Sequence, residues 1–357
     1  MKKRIVSIEL LRMLAMMMVV MLHYLDKGGV LPALTGEMGM NGYVAWGLES
    51  LSIVAVNVYM LISGYFLVES GFKPGRLVEL LCQVLFYTLL IPVILLAAGI
   101  LDVGYFNVYH ILRDVLPVQM EQYWFITAYV IMYLFSPVLG AAAKSMSKEQ
   151  LKGTIIALLL FFSVSKTILP VELAIDKAGN DGIWFLCVFL VAAYIRLYGI
   201  PFFVGGNGGR KGLLCYLAGC AGIFCLTFVV RAVYLKTGSL DHFIKTGFDY
   251  NHVLNLLAAV GLFHAFLHWK IPSEGKAAGF ICGLAPYSLG VYLLHEQIEV
   301  RYLWPRWIGA SGEGNVILMV CRAVGSVVLV YAVGTLVDAF RAFIFRSFRK
   351  TVHKFHK

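Results

Sequence analysis

The sequence predicts an all-α, polytopic integral membrane protein. It has about ten transmembrane helices in one domain over residues 1–357, with both termini cytoplasmic. Three observations predict this. First, 60% of the residues are hydrophobic and only 14% are charged, against roughly 25% charged in a soluble domain. Second, the apolar residues gather in ten stretches, at 5–24, 47–69, 77–101, 123–143, 153–170, 182–199, 212–235, 252–269, 278–298 and 314–340, each near the roughly 20 residues that cross a bilayer core. Third, the basic residues alternate with those stretches. With the N-terminus inside, 19 Lys and Arg fall in inside segments and 7 in outside ones, as the positive-inside rule requires of an even number of spans.

The first span, Ile5 to Tyr24, is entered by Lys2, Lys3 and Arg4 and carries Glu9, Arg12 and His23. Its length, its internal charges and the lack of a small-residue cleavage motif mark an uncleaved helix rather than a leader. Arg12 and His23 are 11 residues apart, about three helical turns, so they share a face roughly 16 Å apart along the axis. Glu9, three residues before Arg12, falls on that face and can pair with it. Charges in hydrocarbon cost at least about 2.5 kcal/mol on insertion scales and mark working sites.

The second span brings Asn57 to mid-membrane, followed by Ser63 and Gly64, a small pair suited to close helix packing. Lys73 and Arg76 precede the third span on the inside. The fourth opens with Tyr123, Trp124 and Phe125 and carries Tyr129; Trp124 suits both an interfacial belt and a site lining. Lys166, Arg231 and Arg322 lie in the outer halves of the fifth, seventh and tenth spans, where long side chains can reach the headgroups. Gly205 to Gly209 is an inside turn; no strand precedes it, so it does not read as a phosphate loop. The ninth span ends at Tyr292, Leu293, Leu294, His295 and Glu296, which sets His295 at the depth of His23.

Net charge is +10, yet the densest basic run, Arg341 to Lys357, trails the last span. That is a cytoplasmic tail against anionic lipid, not a nucleic-acid surface. The seven cysteines lie in apolar segments without metal-ligand spacing, which predicts neither a disulfide framework nor a metal site.

A neutral imidazole suits proton removal from a hydroxyl near neutral pH. Guanidinium groups suit a phosphate-bearing donor. Together they predict transfer of a group from an anionic donor inside to a hydroxyl reached from outside. A transporter or flippase of a sugar-linked substrate would use similar residues, but the inverted repeat expected of one is not visible. A scaffold whose charges only pair helices is the remaining alternative.

On these residues the chain resembles the acyltransferase 3 family of membrane acyltransferases. The landmarks are Arg12 and His23 in the first span, Tyr59 to Leu67 in the second, and Lys73 with Arg76. Tyr123 to Phe125 and Tyr292 to His295 complete the set. The resemblance implies O-acylation, commonly acetylation, of an extracytoplasmic carbohydrate at the cell membrane. The donor is acyl-CoA, which is a substrate rather than a bound cofactor. Carried onto this chain, it implies Arg12 and His23 as the essential pair; with Glu9 they form the expected catalytic set, and Arg76, Lys73 and Ser63 are the expected donor contacts. His295, Trp124, Tyr129, Asn57 and Arg322 then line the acceptor pocket. Some relatives append a hydrolase-like domain after the last span; this sequence stops at Lys357, so any such partner is expected to be a separate protein, or absent.

Overall fold

The computed structural model describes residues 4–170, 175 and 177–355, with side chains as far as Ser347. Lys2, Lys3 and Lys357, counted in the charge bias, lie outside the described residues, as do the side chains of Arg349, Lys350 and Lys354. The described residues form helices joined by turns, with no strand among them. The α-helices are α1 (Val6–Lys27), α2 (Met40–Ser52), α3 (Ala55–Ser70), α4 (Pro74–Ala97) and α5 (Val108–Val115). They continue with α6 (Trp124–Ser145), α7 (Lys148–Leu159), α8 (Ser165–Ile168), α9 (Gly182–Tyr198) and α10 (Gly208–Thr237). The last are α11 (Val253–His268), α12 (Lys276–Leu284), α13 (Ser288–His295), α14 (Leu303–Trp307) and α15 (Val316–Phe355).

Among the described residues, nine helical units are long and apolar enough to cross a membrane, which makes this a multi-pass membrane protein. The expected span at 182–199 is the exception: α9 has only 17 residues, about 25 Å of helix. Of those, 11 are buried, against α3, α6 and α7. Contact with α3 is close because a Cβ on Gly64 would meet the Ala192 Cβ at 2.8 Å and the Phe189 Cα at 3.2 Å. The small-residue packing expected of Ser63 and Gly64 is thus found at Gly64.

Among the described residues the fifth span, α7 and α8, is joined by a π-helical stretch at Leu160–Val164, and the second and ninth are broken. The second is α2 followed by α3, meeting at Ile53 and Val54. The ninth is α12 and α13, separated by a tight turn at Ala285–Tyr287 that contains Pro286. Proline has no N–H for the carbonyl four residues back. That carbonyl, of Cys282, instead accepts from Arg4 Nη1 at 3.0 Å. Irregular backbone at membrane depth persists where it is buried in protein or lines a cavity, and Ala285, Pro286 and Ser288 do line one.

Helix α1 runs through the middle, packed on α2, α3, α11, α13 and α15. Within the basic segment from Arg341, α15 continues unbroken to Phe355. Arg341 is partly buried and paired, its Nε donating to Asp338 Oδ1 at 2.6 Å. Asp338 is fully buried and also accepts from Gln83 Nε2 and Tyr87 Oη, each at 3.0 Å. Asp338 packs directly on Gly290, where a side chain would overlap the carboxylate. This joins α4, α13 and α15 near the break in the ninth span.

Candidate active site

A cavity of about 300 Å³ lies between α1, α3, α4, α6 and the α12–α13 break, at the lower end of the size range of small-molecule sites. Of the residues expected to act, Arg12, His23, Arg76, Ser63, Trp124 and Tyr129 line it. The three-turn spacing on α1 therefore does what it predicts: guanidinium and imidazole face one space. Phe125, Tyr129 and Tyr133, four residues apart on α6, form a stacked aromatic wall with centroid separations of 6.3 and 6.1 Å. Trp124 stacks on Tyr250 at 5.6 Å.

Arg12 is placed from two sides. Its Nη1 lies 3.4 Å from Glu9 Oε2, the pairing expected from their spacing. Its backbone carbonyl accepts from Tyr59 Oη at 2.7 Å. Glu9 does not line the cavity; it holds the guanidinium that does.

Beside His23 lies a chain of hydrogen bonds. His295 Nδ1 is 2.6 Å from the Val291 carbonyl oxygen. A carbonyl only accepts, so His295 Nδ1 carries the proton, and the Nε2 of the neutral ring is an acceptor. That Nε2 lies 2.9 Å from His23 Nδ1, so His23 donates from Nδ1 and its lone pair is left on Nε2. His23 Nδ1 is also 3.3 Å from Glu296 Oε2. Glu296 is in turn gripped by Lys27, one residue short of the α1 C-cap, and by Arg301 Nη1 at 3.5 Å from Oε1.

Flanking loops hold this cluster. The Gln297 side chain accepts from the backbone N–H groups of Glu299 and Val300 at 2.7 and 3.2 Å, which folds the turn after α13. Glu299 pairs with Arg113 at 2.9 Å. Arg113 in turn donates to Tyr105 Oη at 2.6 Å, and Tyr105 donates to Asp114. Burial pushes the Asp114 carboxyl up from its ordinary value, and Arg113 beside it opposes that. Nothing in the sequence predicted α5, which carries Arg113 and Asp114, because its eight residues are too few and too polar to read as a span.

Besides Glu9, four of the expected site residues lie outside the cavity lining. His295 is at the depth of His23, as predicted, but sits behind it and not in the cavity lining. Asn57 is fully buried and structural: it accepts from Trp184 Nε1 at 2.9 Å and donates to the Tyr250 carbonyl and to Asn255 Oδ1. The main chain of Lys73, at the N-cap of α4, is bound to Tyr133 Oη at 3.1 Å, and Lys73 is absent from the lining. Arg322 is exposed on α15, also outside it. The position of Arg231 also differs from expectation. Its guanidinium donates to the carbonyls of Leu34 and Gly36 at 2.8 and 2.7 Å, pinning the first loop instead of reaching for headgroups.

Sequence reasoning assigned no role to Glu296, Lys27, Arg301, Tyr250 or Tyr133. Glu296 had one available signal, an acid directly after a histidine at a span end. The others depend on which helices meet.

No curated protein and no solved structure matches this chain. A family model described as an acyltransferase domain matches residues 5–336, a range that holds every cavity-lining residue and the whole cluster around His23. The chain therefore belongs to the acyltransferase 3 family and is a membrane acyltransferase.

Proposed function

We propose that the chain transfers an acetyl group from acetyl-CoA on the cytoplasmic side to hydroxyl groups of an extracytoplasmic or cell-surface carbohydrate, and that it does so in the plasma membrane. The observation that carries this reading is the common cavity, with Arg76 and Arg12 on one part of its wall and His23 with Trp124 and Tyr250 on another. Arginines suit the anionic end of the donor, since a guanidinium matches phosphate with two parallel hydrogen bonds. The half-apolar aromatic wall of Phe125, Tyr129 and Tyr133 suits a long uncharged arm, with the hydroxyls of Tyr129 and Ser63 available to its amides. Trp124 and Tyr250 suit a sugar ring, which stacks on aromatic faces. With this orientation Arg4 and Lys73 are cytoplasmic and Lys27 and Glu296 are outside.

The reaction balances on His23. The acceptor O–H bond breaks as its proton moves to His23 Nε2, and the oxygen bonds to the thioester carbonyl carbon. The C–S bond then breaks, and the sulfur leaves with the proton returned by His23, giving free coenzyme A. A covalent acyl-imidazole at the same Nε2 is the other route, and it ends in the same products.

A transporter would place broken helices at equivalent positions of two inverted halves. Here the second and ninth spans are broken, whereas the seventh, which a five-plus-five repeat would pair with the second, is the continuous helix α10.

The test uses purified full-length protein in lipid nanodiscs with labelled acetyl-CoA and candidate glycans. Release of coenzyme A, coupled to a one-acetyl mass gain on the glycan, supports the reading. His23→Ala protein that elutes like the wild type should release none. A native rate from that variant, or acceptor crossing a proteoliposome membrane unmodified, would sink it.

A further inference from the structure

We infer that His295 and Glu296, neither of which lines the cavity, are positioning residues that aim the reactive Nε2 of His23. They also hold the charge that the ring acquires when it takes a proton. This inference rests on the acyltransfer reading for its kinetic test but not for its spectroscopic one.

The argument starts at a backbone carbonyl. Val291 O can only accept, so it fixes the proton of His295 on Nδ1 at 2.6 Å. That leaves one free ring atom on His295, Nε2, directed at His23 Nδ1 across 2.9 Å. His295 is 2% exposed, so water does not compete for that lone pair. The Nδ1 edge of His23 is therefore occupied, and Nε2 on the opposite edge keeps its lone pair. Had His295 been a substrate contact, its ring nitrogens would be free; both are committed. Its ring is further packed edge-on against Tyr292 and Trp304, with centroids 6.1 and 5.9 Å away.

Glu296 has a separate task. When His23 Nε2 takes a proton, the ring becomes a cation whose Nδ1–H already lies 3.3 Å from Glu296 Oε2. His295 is neutral in this arrangement and cannot balance that charge, so Glu296 is the anion in reach. A carboxylate oriented behind an imidazole gives the ring its tautomer and stabilises the imidazolium. Lys27 and Arg301 both grip Glu296. Two cations fix the position of one carboxylate, so the cluster carries one excess positive charge while His23 is neutral and two once it is protonated. That charge is best tolerated while the reacting carbon carries its oxyanion, which favours prompt return of the proton to the departing sulfur. The charged and titratable groups around His23 from each neighbouring element are thus Lys27 on α1, Tyr292 and His295 on α13, and Glu296 and Arg301 in the following turn.

The experiment has two arms on the full chain in nanodiscs. In the kinetic arm, Glu296→Gln should lower kcat for acetyl transfer roughly hundredfold or more, within the range of general-base assistance. KM for acetyl-CoA should stay within about twofold, because Glu296 touches no part of the cavity. Glu296→Asp should recover at least about tenfold of that loss, since it restores the anion. His295→Gln, which keeps an acceptor near the Nε2 position, should outperform His295→Leu by a similar factor. A wild-type kcat in Glu296→Gln, or equal losses in the Gln and Asp variants accompanied by a changed KM, would overturn the positioning role. In the second arm, nitrogen-labelled histidine NMR identifies the His23 resonances by their loss in His23→Ala. A proton on Nδ1 in the wild type, lost to mixed tautomers in His295→Leu, supports the inference; a proton resident on Nε2 overturns it without any turnover being needed. Failure of the wild type to transfer acetyl would refute the functional reading and leave the NMR result to judge the tautomer.

Discussion

Asn57 donates its amide N–H to the backbone carbonyl of Tyr250 at 2.7 Å, and so ties the first turn of α3 to the residue that stacks on Trp124. The same amide accepts from Trp184 Nε1 at 2.9 Å, which brings α9 into the arrangement. One buried side chain thus joins three segments of the chain behind the cavity wall. Its influence on the site is indirect, through Tyr250.

Asn57→Leu should therefore destabilise the protein. Each buried partner left without a hydrogen bond costs about 1–3 kcal/mol, and the Trp184 indole and the Tyr250 carbonyl are both left. Thermal unfolding in nanodiscs should shift down by several degrees. The KM for acceptor should rise more than that for acetyl-CoA. An unchanged melting temperature would show that these bonds are replaced.

Arg76 and Lys73 resemble each other in sequence but should differ in effect. Arg76 lines the cavity, whereas Lys73 is held by its main chain at the α4 N-cap and does not. Arg76→Ala should raise KM for acetyl-CoA about tenfold or more, the loss expected of one charge-assisted contact. Lys73→Ala should change it by less than about threefold, as expected of an exposed lysine outside the site. Initial rates across donor concentration decide this, and equal effects would remove the distinction.

Gly290→Ala introduces a methyl group where Asp338 already sits. The carboxylate is held by Gln83, Tyr87 and Arg341 and has no room to retreat. Overpacking of this kind costs about 1–3 kcal/mol. A lower melting temperature is expected, together with reduced kcat from displacement of α13. The double variant with Asp338→Ala should recover part of the loss, and full additivity would argue against direct contact.

Arg322→Ala should be nearly silent. The side chain is exposed on α15 and outside the cavity lining. Surface substitutions usually fall within about 0.5 kcal/mol, so kcat and KM should remain within about twofold. A large rise in acceptor KM would restore Arg322 to the acceptor pocket that its sequence position suggested.

The sequence by itself determined the class of the protein and the two polar residues of α1 that share the cavity. Low charge density and ten apolar stretches dictate a helical membrane bundle, because unpaired backbone groups are not tolerated in hydrocarbon. Arg12 and His23 were legible because both sit on a single helix, where spacing alone fixes the shared face. The Glu9 pairing was legible for the same reason. Depth was legible too: His295 was expected level with His23, and the two rings are hydrogen-bonded.

What only the tertiary structure decided is how separate helices meet. No periodicity within α13 reveals that His295 stands behind His23 and not in the cavity, nor that Glu296 is seized by Lys27 and Arg301. That Asn57 and Arg322 lie outside the lining was hidden for that reason, since a polar residue in a span reads alike whether it faces a cavity, a partner helix or the surroundings. The pairing of Arg341 with Asp338 was likewise hidden, because nothing along the chain shows that Asp338 is buried against α4 and α13. Local spacing is a property of one helix and can be counted along the chain. Contacts between helices depend on rotation and translation in the bundle, which packing sets.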